Sequence, residues 1–176
     1  HERVAQVLTE AASASVEHDV RGAILMDVAA IYREQLNDVN RAEAVYRRVV
    51  DIDPNNPSLV LPAAHALEEI YAGLGNHAAL VQMLRTDVKL EEDPARRADI
   101  YGRLGEICES ILEDPAGAIE AWRARLDENP ADNTALLALE RLYEKVQAWR
   151  ELVDVLRSRQ DNAHDADERR VLMTRL

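Results

Sequence analysis

A chain of 176 residues, 47% apolar and 31% charged, is long enough to bury a sizeable core and too apolar for a disordered tail. No apolar run approaches the roughly 20 residues that a membrane-spanning helix needs, so no membrane insertion is expected. The net charge of −12 would repel a nucleic-acid backbone or an anionic membrane surface, and neither is expected as the main partner.

Phe is absent, and Ala, Leu, Glu and Arg outnumber the β-branched residues, which is an all-helical composition. Lys occurs only at 89 and 145. This skew toward Arg fits a GC-rich bacterial genome. One cysteine rules out an intrachain disulfide and fits a reducing, cytoplasmic setting. The chain opens at His1-Glu2 already in a helical pattern and stops at Leu176 inside another, so it reads as a piece of a longer protein.

In chain order, apolar spacing predicts ten helices, over 3–14, 21–36, 40–52, 60–74, 77–91, 95–112, 116–128, 133–146, 148–161 and 167–176. Pro62 places the fourth start near residue 60, because a helix begun at Pro57 would carry Pro62 in its interior at a cost of about 3 kcal/mol. Gly73-x-Gly75 reads as the loop after that helix. Asp93-Pro94 and Asp114-Pro115 set an N-cap acceptor before a proline already fixed at helical φ. Asp53-Pro54 and Asn129-Pro130 end helices, since a residue before proline is pushed out of the α region. Asn133 and Asp165 read as further caps. The acid clusters at 91–93 and 165–168 read as solvated helix starts.

The chain also repeats itself. A displacement of 76 pairs RGAILMDVAAIYREQLND (21–38) with RADIYGRLGEICESILED (97–114), and Ala42, Tyr46 and Pro54 with Ala118, Trp122 and Pro130. After residue 57 the displacement falls to 72, pairing Leu67…Tyr71 with Leu139…Tyr143 and Leu80…Leu84 with Leu152…Leu156. The first copy carries four extra residues near 57–62.

Leu104-Gly105-x-x-Cys108 with Ala118, Trp122 and Pro130 resembles the tetratricopeptide repeat, as does Val28-Ala29-x-x-Tyr32 with Ala42, Tyr46 and Pro54. The sets beginning at Leu67 and Leu139 are degenerate versions, with Leu for the small Ala and no closing Pro. The anchors Val28, Leu67, Leu104, Leu139 and Leu176 lie 39, 37, 35 and 37 residues apart. The resemblance covers essentially the whole chain. It implies an all-α, right-handed superhelical α-solenoid of antiparallel helix pairs in a single array over 1–176. That array divides into a half repeat at 1–19, repeats at about 20–56, 57–93, 94–131 and 132–165, and a half repeat at 166–176.

Signals for chemistry are absent from the sequence: there is no HExxH, CxxC, GxSxG or phosphate-binding glycine loop, and the five histidines share no ligand spacing. Asp51-x-Asp53-x-Asn55 starts like a calcium loop but lacks its glycine and its bidentate glutamate. Cys108 reads as a buried structural thiol, and Trp122 and Trp149 as core. No enzyme activity, cofactor or metal is expected.

In the family, the first helix of each pair lines a concave groove. Carried over by position, the candidate groove residues are Met26, Arg33, His65, Glu69, Asp99, Arg103, Glu106, Leu137, Arg141 and Glu144, with Ala30, Ala72 and Glu109 beside them. Positions that clamp a C-terminal carboxylate in such repeats hold Met26, Ala30, His65, Glu69, Gly102 and Glu106 here. Only Arg103 suits that task, so a carboxylate clamp is not expected. A mixed acidic groove favours a basic or amphipathic protein segment.

The expected function is therefore a non-catalytic protein–protein interaction scaffold. The alternatives are a regulatory or docking domain of a longer enzyme or signalling protein, and a helical-repeat RNA-processing factor, which the charge disfavours. Val4, Val7 and Leu8 at one end, with Val171, Leu172 and Leu176 at the other, predict self-association through exposed terminal half-repeats.

Overall fold

The computed structural model describes residues 1–163 and 166–175, and all regular structure among them is helical. Two compact units divide the chain, His1–Glu91 and Glu92–Leu176. The first holds α1 (Glu2–Ala14), α2 (His18–Ala30, continued by a π-helical turn, Ile31–Gln35), α3 (Val39–Ile52), α4 (Pro57–Leu74) and α5 (His77–Leu90). The second holds α6 (Pro94–Ser110), α7 (Pro115–Glu128), α8 (Asn133–Val146), α9 (Trp149–Asn162) and α10 (Ala166–Arg175). Within each unit every helix packs on the next one in sequence. Links of two to four residues make these neighbours antiparallel. This is the all-α, helix-pair architecture that the periodicity predicted.

The starts follow side-chain chemistry. Asp38, Asn56, Asn76, Asp93, Asp114 and Asp132 each accept a hydrogen bond from a backbone N–H two or three residues on, which satisfies one orphan donor of the first turn. Asp132, not Asn133, caps α8: its backbone is extended and its carboxylate takes the Ala135 N–H at 3.0 Å, while Asn133 is already helical. Burial pushes the Asp132 carboxyl up. Hydrogen bonds from the Ala135 amide and the Arg125 guanidinium outweigh that and hold it below its ordinary value. The expected cap at Asp165 and the anchor at Leu176 lie outside the described residues.

The α4 start differs from expectation. Asn56 accepts from the Ser58 N–H at 3.1 Å and Pro57 occupies the first helical position, so the helix begins at 57 and carries Pro62 inside it. The missing N–H of Pro62 would have bonded the carbonyl of Ser58, an exposed residue in the first turn, so water can replace the lost partner. Gly73 is helical, and only Gly75 leaves the helix.

The ends repeat with the same two displacements as the sequence. Asn37 and Glu113, 76 apart, both turn left-handed (φ 52° and 51°). Each follows a widened turn, in which the Asp38 N–H reaches the Tyr32 carbonyl and the Asp114 N–H the Cys108 carbonyl, both at 2.8 Å. Gly75 and Gln147, 72 apart, are left-handed too (φ 67° and 59°). Here Asn76 N–H bonds Tyr71 O and Ala148 N–H bonds Tyr143 O, both at 2.9 Å, in the Schellman pattern. The π-turn was invisible to apolar periodicity, which predicted one helix through residue 36. A left-handed residue costs L side chains about 1–2 kcal/mol, part of which glycine returns in unfolded-chain entropy. Glu113→Gly is therefore expected to stabilise the chain by about 0.5–1 kcal/mol, read from the urea midpoint. An unchanged or lower midpoint would contradict this.

Leu25, Val28, Val49, Val60, Leu67 and Leu84 are fully buried in the first unit, and Cys108, Leu136, Leu139, Leu142 and Leu156 in the second. Each such leucine contributes about 1.5–3 kcal/mol of burial. Cys108 is core, as expected, and so is Trp122. Trp149 is not core: it opens α9 and is 59% exposed, because at the first position of a helix it has no preceding turn to pack on. At the ends, Val4, Val7 and Val171 are exposed, but Leu172 is buried against its own unit and offers no sticky surface.

Candidate functional site

The first helices of the pairs are α2, α4, α6 and α8. Each buries one stripe and leaves another toward solvent, and the predicted groove residues sit on the open stripe. His65 and Glu69 on α4, Asp99, Arg103 and Glu106 on α6, and Leu137, Arg141 and Glu144 on α8 are exposed. Met26 on α2 and Arg33 on the π-turn are half-buried.

In the first unit, the Arg33 guanidinium donates to the Glu69 carboxylate at 2.6 Å, tying the end of α2 to α4. The hydrogen bond from Arg33 to Glu69 raises the guanidinium pKa further. In the second unit, Arg141 on α8 donates two parallel hydrogen bonds at 2.8 Å to Glu109 on α6, and its pKa is raised in the same way. The two pairs occupy the same place in their units. Arg33 is 76 residues before Glu109 and Glu69 is 72 before Arg141, so position is kept while the charges are exchanged. Such exposed pairs contribute up to about 1 kcal/mol each, so they fix geometry more than stability.

His65 stands 3.3 Å from Asp87 of α5 through Nε2. Asp87 is only 3% exposed, and its Oδ1 has no hydrogen-bond partner. Asp99 and Glu106 have no ion-pair partner among the described residues. On α6 in the second unit, Asp99 and Glu106 thus present two exposed carboxylates.

Comparison with known proteins places this geometry. A tetratricopeptide-repeat family model matches residues 135–166, which span α8 and α9. The α8–α9 pair is thus similar to a tetratricopeptide repeat. The 72-residue echo relates α4 and α5 to that pair, and the 76-residue echo relates α2 and α3 to α6 and α7. Among solved structures, YrrB, described as a TPR protein with an unusual peptide-binding site, is similar at 16% identity over 97% of this chain and 84% of that one, with a TM-score of 0.50. Two crystal structures of MamA are similar at 18% and 19% identity. They cover 90% and 80% of this chain and 85% and 72% of theirs, with TM-scores of 0.48 and 0.49. At these identities the likeness is one of fold. A search of curated proteins finds no significant match.

Periodicity overlooked three buried acids, Glu68, Asp87 and Glu140, of which Glu140 is bridged by Arg159 of α9. The available signal was the 72-residue echo, which aligns Asp87 with Arg159 and so marks a charge change at a core-facing position.

Proposed function

We propose that this repeat protein holds a basic, extended or amphipathic segment of a partner protein along the open stripes of α6 and α8 in the second unit, as a scaffold with no chemistry of its own. One observation carries the reading: Asp99 and Glu106 are exposed on α6 with no ion-pair partner among the described residues, while Arg141 beside them is tied to Glu109. A cationic segment gains attraction there, and an acidic one is repelled. Exposed Leu137 supplies an apolar contact of the kind that peptide recognition on a helical face uses. The repeat boundaries near 20, 57, 94 and 132 would give one such stripe per repeat.

The test is fluorescence anisotropy with a labelled 15-residue peptide of alternating lysine and leucine pairs. Asp99→Lys with Glu106→Lys is expected to weaken binding at least about tenfold, equivalent to about 1.4 kcal/mol. Both positions are exposed, so the helical circular dichroism should not change. Equal binding by the double variant would overturn the reading.

A further inference from the structure

A cavity of about 310 Å³ opens between the second helices α7 and α9 of the second unit, over α8 and away from the stripe described above. Its floor is apolar, formed by Leu126, Leu139 and Val155, and Tyr143 enters from α8. Arg123 of α7 faces Glu151 and Asp154 of α9 across the rim. This is the lower end of the size range of pockets that accept a ligand group.

Tyr143 is the telling residue. It is 6% exposed, and its hydroxyl makes no hydrogen bond among the described residues. Its counterpart 72 residues earlier, Tyr71, donates to Glu43 at 3.0 Å. That bond and, above all, burial push the Tyr71 hydroxyl up to about 12. The residue 76 after Glu43 is Ile119, so the second unit lacks the internal acceptor. The rim changes as well. Glu151 and Asp154 stand where the first unit has Ala79 and Gln82. Glu151 has no ion-pair partner among the described residues, and Asp154 has only exposed Arg157 at 3.9 Å. An adjoining open cavity on α7 shares Arg123 and adds Glu120 and Asp127. The combined surface therefore sets four carboxylates against one guanidinium.

We propose that this cavity is a second docking site, taking one apolar side chain of a basic protein segment. The flanking lysine or arginine residues of the segment lie on Glu151 and Asp154, and a polar group of the segment bonds the Tyr143 hydroxyl. An apolar-floored cavity under an acidic rim is complemented by such a segment, and a tyrosine hydroxyl with no internal partner is left to bond it. At the equivalent positions of the first unit the tyrosine is bonded to Glu43, and Ala79 and Gln82 stand in place of the rim carboxylates.

NMR titration of the whole chain with a blocked pentapeptide, one leucine between two lysine pairs, tests this. Saturable shifts are expected at Leu126, Tyr143 and Val155. Glu151→Lys with Asp154→Lys should weaken them at least about tenfold, with helical content unchanged. Tyr143→Phe should weaken them severalfold while leaving the unfolding midpoint about equal, because the hydroxyl makes no internal hydrogen bond. Three results would each overturn the site: absence of shifts at those residues, equal binding by the charge-reversed variant, or equal binding of a peptide with glutamates for lysines.

Discussion

Gly105→Ala is expected to destabilise the chain by about 1–3 kcal/mol, although alanine is the better helix former. A Cβ at Gly105 would lie 2.5 Å from Cε2 and 2.6 Å from Nε1 of Trp122, and a buried indole ring cannot fold away as a leucine tip can. The echo supplies the control. Seventy-six residues earlier the same two positions hold Ala29 and Tyr46, both buried, so the methyl lost on one helix is matched by the larger ring on the other. Trp122→Tyr in the Gly105→Ala background should therefore recover at least half of the loss. Denaturant midpoints of the four proteins give the coupling, expected at about 1 kcal/mol or more. Simple additivity would mean that the glycine is not there for the ring.

The second large effect is expected at Arg159, which bridges Glu140 inside the second unit; their side chains are 12% and 9% exposed. Arg159→Met should cost about 3 kcal/mol, because it leaves Glu140 buried without its guanidinium. Arg159→Met with Glu140→Leu should recover most of that, since a buried ion pair contributes little over apolar packing of similar volume. Equal losses in the single and double variants, again from denaturant midpoints, would show that the side-chain volumes rather than the charge carry the effect.

These two sites differ in how far the sequence announced them. Gly105, Ala118 and Trp122 fall in one motif, because the close approach of two helices demands a small residue opposite a large ring. The Asp-Pro starts were legible for the same reason, since each residue acts on its own backbone. Pro62 misled because a local penalty was weighed without the stronger local signal of Asn56 and Pro57. Trp149 misled because an aromatic at helical spacing says nothing about whether a neighbour exists to cover it. The open stripes followed from position in the repeat, whereas the exchange of charge between Arg33–Glu69 and Glu109–Arg141 needed the two displacements and the geometry together. The unanswered Tyr143 hydroxyl was not legible at all, since it depends on Ile119 lying on a different helix.

The most direct measurement is amide shift mapping of the lysine–leucine 15-residue peptide on the labelled chain. Shifts are predicted along the first helices of the second unit, at Asp99, Arg103, Glu106 and Glu144, and they should fade in the Asp99→Lys, Glu106→Lys variant. A map confined to the second helices α3, α5, α7 and α9, unchanged by that variant, would contradict the account.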